Sequence, residues 1–254
     1  MSNPGAIAEI LEKSLGLQQP PVAVSLLEDR PEGVPVWEGS APAGCRFWQE
    51  AVSRTFATQA RHHGLCAIGI HTHNLESTPA TNTDLNDTLK VFADLGYVRV
   101  EDVPQIPVLG QRPNWVVYGP LAEASSMPDV ALLFVKANQT LILSEAAQQA
   151  ESGLPPAMGR PACAIVPQAV NSGRSALSLG CCGARAYLDV LTDEVGLFAI
   201  PGARLEAVAE RVQALAGANA VLAKFHQLRR AAVESGGTPT VRESLEAFQR
   251  SAGA

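Results

Sequence analysis

An internal repeat is the feature of this sequence that most restricts the folds open to it. An apolar segment at 20–27 (PPVAVSLL) precedes Cys45, and a similar segment at 128–135 (PDVALLFV) precedes Cys163. Ala-Val follows each of these cysteines six and seven positions later, and a polar residue comes next. The shared order of elements predicts a duplicated α/β unit. Chance similarity is the alternative, because Ala-Val is a common pair.

The repeat continues with a second cysteine and a closing strand in each half. The second cysteine is Cys66 in the first half and Cys181 or Cys182 in the second half. Segments 115–120 (WVVYGP) and 195–201 (VGLFAIP) both read as strands that end in proline. Two halves related by a pseudo-twofold axis would bring equivalent positions together at their interface. We therefore expect thiols from both halves to converge.

The predicted fold class is α/β, with α+β as the alternative arrangement, built from two pseudo-symmetric halves. The first half covers residues 1–127 and the second covers 128–218, and together they form one compact unit. Residues 219–254 form a helical C-terminal extension, whose last helix starts at a capping-box sequence, 240–243 (TVRE). In the first half, the apolar spacing over 46–61 predicts one amphipathic helix.

Composition excludes several classes of protein. Hydrophobic residues make up 46% of the 254-residue chain and charged residues 17%, which favours a globular fold over disorder. The net charge of -6 provides no basic surface for nucleic acid. No apolar run approaches the roughly 20 residues that cross a bilayer, and the N-terminal segment lacks the pattern of a signal peptide. We expect a cytoplasmic protein with no nucleic-acid or membrane partner.

Five cysteines, spread over distant segments, are the main chemical signal. An odd number in a reducing compartment argues against a disulfide framework and leaves metal ligands, catalytic thiols or buried core residues. Four converging thiolates suit a four-iron cluster or a structural zinc ion. The sequence lacks the closely spaced cysteine pairs of zinc knuckles, so the cluster is favoured. Plain core packing is the alternative, because free cysteine is often buried.

The adjacent residues Cys181 and Cys182 are expected to supply one ligand between them, and the choice between the two is open. Cys181 also lies where a helix begins, which would favour a thiolate. A nucleophilic role for Cys181 is therefore a further alternative. Its base would be one of four histidines in the other half, His62, His63, His71 and His73.

Candidate cofactor-binding residues outside the cysteines are two histidines and two arginines. His71 and His73 alternate in a turn-rich segment, and an extended backbone would place both imidazoles on one side, where they could bind a metal or a haem. Ordinary loop histidines are the alternative. Arg174 and Arg185 could bind an anionic substrate or a haem propionate, or could form surface salt bridges.

Several short motifs together resemble the DUF169 family of prokaryotic proteins. These motifs are CRFWQEA at 45–51, GLC at 64–66, PDV at 128–130, SLGCCGAR at 178–185 and AIP at 199–201. The resemblance spans about residues 20 to 215 and implies a cytoplasmic bacterial or archaeal protein. It also implies an iron-sulfur site at the matched cysteines, with a haem beside the cluster in some relatives. Cys182 departs from the pattern.

These observations predict a redox protein in which Cys45, Cys66, Cys163 and Cys181 hold a 4Fe-4S cluster, with Cys182 as the alternative fourth ligand. The expected activity is electron transfer or the reduction of a small substrate, so a redox partner protein or a small molecule is the expected partner. Enzyme activity and homo-oligomer formation stay open. The alternative is a metal-free small-molecule binding or regulatory module with core cysteines.

Overall fold

The computed structural model describes residues 3–151 and 153–252. The helices are α1 Pro4–Leu15, α2 Cys45–Ala51, α3 Ala67–Thr72, α4 Pro79–Asp94, α5 Ala137–Glu151, α6 Ile165–Ser172, α7 Gly202–Glu234 and α8 Val241–Ala252. The strands are β1 Val22–Leu27, β2 Phe56–Thr58, β3 Trp115–Pro120, β4 Val130–Val135, β5 Ala157–Met158, β6 Ala176–Ser178 and β7 Gly196–Pro201. The outermost residues of the predicted first half and C-terminal extension, 1–2 and 253–254, lie outside the described residues.

All the strands belong to one seven-stranded mixed sheet with the order β2-β3-β1-β4-β7-β6-β5. Neighbouring strands are antiparallel except β5 and β6, which are parallel. Helices cover both faces of the sheet, which explains why β4 at its centre is apolar at every position and buried along its whole length. The predicted α/β class and the helical C-terminal region are confirmed.

A pseudo-twofold axis passes through the middle of the sheet, between β1 and β4. Three residue pairs join these two strands: Val22 with Leu132, Ala23 with Ala131, and Val24 with Val130. In the sequence repeat, residues 22–24 match residues 130–132 in order. Each strand therefore contributes the same three positions to the pairing, and Ala23 lies opposite its own counterpart, Ala131.

The same symmetry extends to the outer strands. Strand β3 flanks β1 as β7 flanks β4, and the prolines that end these strands, Pro120 and Pro201, lie opposite Val22 and Val130. Strand β2 then flanks β3 as β6 flanks β7. The short parallel strand β5 next to β6 has a one-residue counterpart at Val36, which bridges to β2 in parallel.

The two faces of the sheet carry separate hydrophobic cores. Helices α1, α5 and α7 pack on one face, and the buried side chains there include Leu11, Leu143 and Leu205. Helices α2 and α6 pack on the other face, around Trp48 and Ile165. Cys45, Cys163 and Cys181 belong to this second core, so the repeat places cysteines of both halves on the same face of the sheet.

The predicted helix over 46–61 is wrong beyond its first two turns. Helix α2 ends at Ala51, and Phe56–Thr58 forms strand β2, which pairs with β3. The apolar side chain of Phe56 fits the face of a helix in the sequence. Pairing with a neighbouring strand outweighs this local preference, because Phe and Thr are also good strand residues.

The C-terminal helices differ from the predicted division at 218–219, because α7 runs continuously through that point for 33 residues. Phe225 on α7 packs edge-on against Phe248 on α8, with ring centroids 6.2 Å apart. The capping box at the start of α8 is confirmed, since the Thr240 and Glu243 side chains bond to each other's main-chain N–H. No helix of residues 3–151 and 153–252 is long and apolar enough to cross a membrane.

Gly202 gives a direct test of the packing of the start of α7 against the segment that leads into β4. A Cβ atom at this position would lie 1.8 Å from the Pro128 main-chain oxygen, so Gly202→Ala must displace backbone. We expect the free energy of unfolding to fall by about 3 kcal/mol in urea denaturation. The control is Gly217→Ala in α7, where a Cβ meets nothing within 4 Å. Since alanine favours a helix more than glycine does, this substitution should raise the free energy of unfolding by about 1 kcal/mol. Equal effects of the two substitutions would contradict this packing.

Candidate sulfur-lined site

Four cysteines lie where helical segments begin, two in each half of the fold. Cys45 is the first residue of α2, and Cys163 lies in a short helical turn that leads into α6. Cys66 directly precedes α3, and Cys181 lies two residues before a single π-helical turn, Gly183–Tyr187. All four line one cavity, together with Cys182. The structure thus brings together cysteines that are far apart in the sequence.

Burial and mutual repulsion raise the pKa values of the thiols. Burial raises the pKa of Cys45 to about 12, and repulsion from the Cys66 and Cys181 sulfurs adds to the effect. The pKa of Cys163 is raised well above its ordinary value by burial, with further contributions from the other three thiols. Burial also raises the pKa of Cys66. Without a bound cation, these buried thiols are therefore protonated at neutral pH.

Polar groups near three of the four sulfurs oppose the effect of burial. The main-chain N–H groups of Gly44 and Gly69 lower the pKa of Cys66, those of Cys45 and Arg46 lower the pKa of Cys45, and the Thr72 hydroxyl lowers the pKa of Cys163. These groups favour the thiolate form. A Cβ on Gly69 would come within 2.7 Å of the Cys66 sulfur, so a glycine is required for this approach.

The two adjacent cysteines of the second half have different surroundings. Cys181 is half-buried, packs against the core that contains Cys45 and Cys163, and lines the cavity with them and with Cys66. Cys182 is exposed at the edge of the same cavity. The geometry therefore groups Cys181 with the other three thiols.

A tyrosine lies beneath the thiols, on the sheet. Tyr118 on β3 is completely buried, and its hydroxyl has no hydrogen-bond partner within the described part of the chain. Burial raises the pKa of Tyr118, and the neighbouring Cys66, Cys163 and Cys45 raise it further. A phenolic O–H is thus available close to the sulfur atoms.

Two buried histidines lie in the same core, with ring centroids 6.5 Å apart. The His63 Nε2 atom is 3.1 Å from the Thr58 hydroxyl, and the His73 Nδ1 atom is 3.1 Å from the Gly69 carbonyl oxygen. Burial lowers the pKa of His63 to about 3 and that of His73 to about 4. Both imidazoles are therefore neutral at pH 7.

The segment with His71 and His73 is not extended, as the sequence spacing suggested, because it forms the end of α3. The hydrogen bond from the His73 main-chain N–H to Gly69 continues the helical pattern. His71 is half-exposed and lines a separate surface cavity, together with Asn74 and Leu85. The two imidazoles therefore do not share one side of the chain.

The two predicted arginines bind main-chain carbonyl groups. Arg174 donates to the carbonyl oxygens of Leu154 and Pro155. The Arg185 guanidinium donates to the carbonyl oxygens of Leu179, Thr192 and Val195, and so holds together the loop that follows Cys182. These bonds give both arginines a structural role in loops of the second half.

The cavity above the thiols has a volume of about 240 Å³ and mostly apolar walls. One wall carries the cysteines and the turn that begins at Gly183. The opposite wall is formed by α4 and the segment after it. Its lining side chains are Thr88, Leu89, Phe92, Tyr97, Val98, Asp102 and Ile106. Arg160 also lines the cavity.

Sequence reasoning missed three contributors to this site. Tyr118 could have been noticed as a polar side chain inside a buried strand (WVVYGP). Thr72 and Arg160 carry no comparable signal, because their roles depend on contacts with segments far away in the sequence.

Among residues 3–151 and 153–252, no group of three or more His, Cys, Asp or Glu side chains is arranged to hold a metal ion.

The fold and this cavity define a class of protein, a duplicated α/β fold with a cysteine-lined site on one face of its sheet. The DUF169 family model, described as "Uncharacterised ArCR", matches residues 10–211. The chain therefore belongs to the DUF169 family. The match covers both halves of the repeat and ends within α7. No curated protein and no solved structure matches the chain.

Proposed function

We propose that this protein is a redox protein that holds a 4Fe-4S cluster on Cys45, Cys66, Cys163 and Cys181. One observation carries the proposal: four thiols from four distant segments, two in each half, line one cavity. Core packing alone gives no reason for the two halves to place their cysteines around a common space.

The chemistry of the donor set fits an iron-sulfur cluster. All four donors are thiols, and cluster irons are commonly held by four cysteine thiolates. Three of the thiols are buried with raised pKa values, so a bound cation is needed to keep them ionised. The N–H and O–H donors to their sulfurs would also stabilise thiolate ligands, and such bonds help to set a cluster's reduction potential.

Cluster binding does not require the four thiols to meet at one ion. In a four-iron cluster each cysteine binds a different iron atom, whereas a zinc ion needs all four sulfurs at about 2.3 Å from one point. Ligands from distant segments are therefore acceptable. A bound cluster would supply single-electron chemistry, and the apolar cavity beside the thiols would limit access of water.

The haem suggested by the sequence fits these residues poorly. His73 is completely buried in the protein core, and His71 lines a different cavity. Arg174 and Arg185 already donate to main-chain carbonyl groups. We therefore limit the proposal to the cluster, with a redox partner protein or a small substrate as its electron donor or acceptor. We place the protein in the cytoplasm, where free thiols persist.

Anaerobic purification from iron-replete cells tests the proposal. We expect brown protein with about four iron and four acid-labile sulfide atoms per chain, and an electron paramagnetic resonance signal after reduction with dithionite. Colourless, iron-free protein that also fails to take up iron and sulfide on reconstitution would contradict it. That outcome would favour the metal-free binding module.

Iodoacetamide labelling separates the proposal from a thiol enzyme that uses Cys181. In the brown protein we expect exposed Cys182 to react first, because the four grouped thiols would be bound to iron. Selective labelling of Cys181 would support the thiol enzyme instead. The labelled residue is identified by peptide mass spectrometry.

A further inference from the structure

The two halves of the fold differ most in the segment after the second cysteine. In the second half, residues 183–195 lead from Cys182 to β7 in a short loop. In the first half, residues 67–114 separate Cys66 from β3 and include α3 and α4. The repeat alone does not require this longer segment. It supplies one complete wall of the cavity above the thiols.

Helix α4 contributes its apolar side chains to the cavity and little to the core. Thr81 is the one buried residue of this helix, and most of its other side chains are exposed. Leu89 and Phe92 are half-buried because they face the cavity, and Tyr97 and Val98 continue the same wall. Because α4 packs so little against the core, we interpret it as a helix that covers a ligand-binding cavity.

Two charged side chains, Asp102 and Arg160, line the cavity. Arg99 holds Asp102 through two hydrogen bonds of 2.9 and 2.7 Å. Arg160 is exposed and lies close enough to Asp102 to lower the pKa of that carboxyl, after the larger effect of Arg99. The three side chains together carry one net positive charge. This arrangement favours an anionic group beside Arg160.

The size of the cavity limits the molecule that it can hold. A dry apolar cavity of roughly 150 Å³ binds benzene in another protein. The present cavity is about 240 Å³, and part of it borders the thiols. We assign the thiol end of the cavity to the cluster and the end next to α4 to one ring or a short branched chain.

We infer that this cavity binds a small organic acid with an apolar body, such as an aromatic carboxylate. The apolar body would lie between α4 and the thiols, and the carboxylate would bind Arg160. The inference rests on the proposed function in one respect, since it assigns the thiol end of the cavity to the cluster. It adds a ligand class to that function.

Two fluorinated probes of the same shape test the inference on the purified full-length protein. They are 4-fluorobenzoate and the uncharged 4-fluorobenzyl alcohol, followed by fluorine NMR line broadening. We expect the benzoate to bind about tenfold more tightly than the alcohol, because a charged hydrogen bond adds roughly this factor. Arg160→Gln should remove this preference and leave binding of the alcohol within about twofold.

A second variant tests the place of binding. Leu89→Trp fills the cavity and should abolish broadening of both probes. Asp87→Ala, on the exposed side of α4, is the control and should bind both probes as the wild type does. Circular dichroism of each variant checks that the fold is retained. Unchanged binding in a folded Leu89→Trp protein, or an unchanged preference in Arg160→Gln, would overturn the inference.

Iron analysis of the same samples separates the two claims. Protein that contains the cluster and binds neither probe overturns the ligand assignment and leaves the proposed redox function intact. Iron-free protein that prefers the benzoate through Arg160 supports the ligand site and contradicts the cluster.

Discussion

Cys163→Ser is expected to lower the iron content from about four atoms per chain to near zero and to remove the brown colour. Cys163 is buried beside the other thiols, and its substitution removes one of four ligands. A serine hydroxyl is a harder donor with a much higher pKa than a thiol, so it replaces a cluster ligand poorly. The measurement is iron and sulfide analysis of anaerobically purified protein.

Cys182→Ser is the matched control for this substitution. Cys182 is exposed, whereas its neighbour Cys181 is half-buried and packs against the core that contains Cys45 and Cys163. We expect Cys182→Ser to keep its full iron content and Cys181→Ser to lose it. Loss of iron in Cys182→Ser with full iron content in Cys181→Ser would identify Cys182 as the fourth ligand. Full iron content in both Cys163→Ser and Cys181→Ser would refute the ligand set.

Acidification from pH 7 to pH 5 is expected to destabilise the fold by about 4 kcal/mol through His63 and His73. Burial lowers the pKa of these residues to about 3 and about 4, from an ordinary value of 6.5. Below pH 6.5 the unfolded chain gains protons that the folded chain does not bind. The stability that both neutral imidazoles provide is therefore present above pH 6.5 and is lost progressively as the pH falls, towards pH 4 for His73 and pH 3 for His63.

His73→Asn isolates one half of this effect. An asparagine amide can still donate to the Gly69 carbonyl oxygen, but it does not titrate. Between pH 7 and pH 5, we expect the free energy of unfolding of this variant to fall by about 2 kcal/mol less than that of the wild type, as measured by urea denaturation. His226→Asn, at an exposed position of α7, is the control and should follow the wild-type pH dependence. Identical pH dependence in His73→Asn and the wild type would show that His73 is not buried as a neutral group.

The symmetric part of the fold could be predicted from the sequence. Strand residues 22–24 and 130–132 match in the repeat, and the structure pairs them across the pseudo-twofold axis. This is possible because a strand that is buried on both faces leaves a continuous apolar run. The grouping of the cysteines follows from the same symmetry.

The asymmetric parts could not be predicted in the same way. The end of α2 at Ala51 depends on β2 pairing with β3, a contact between residues far apart in the chain. His63 ends a short 3-10 helix, Ala60–His63, and His73 directly follows α3, and neither element is long enough to give a clear helical period. The cavity wall formed by α4 reads in the sequence as an ordinary amphipathic helix, because spacing does not show whether an apolar face meets a core or a cavity.

Diffraction from crystals of the anaerobically purified protein, with data collected on both sides of the iron absorption edge, tests the central claim most directly. The account predicts one strong anomalous peak within bonding reach of the Cys45, Cys66, Cys163 and Cys181 sulfurs, with Cys182 outside that reach. Four unbound thiols with no anomalous peak between them, in crystals whose protein contains iron, would contradict it.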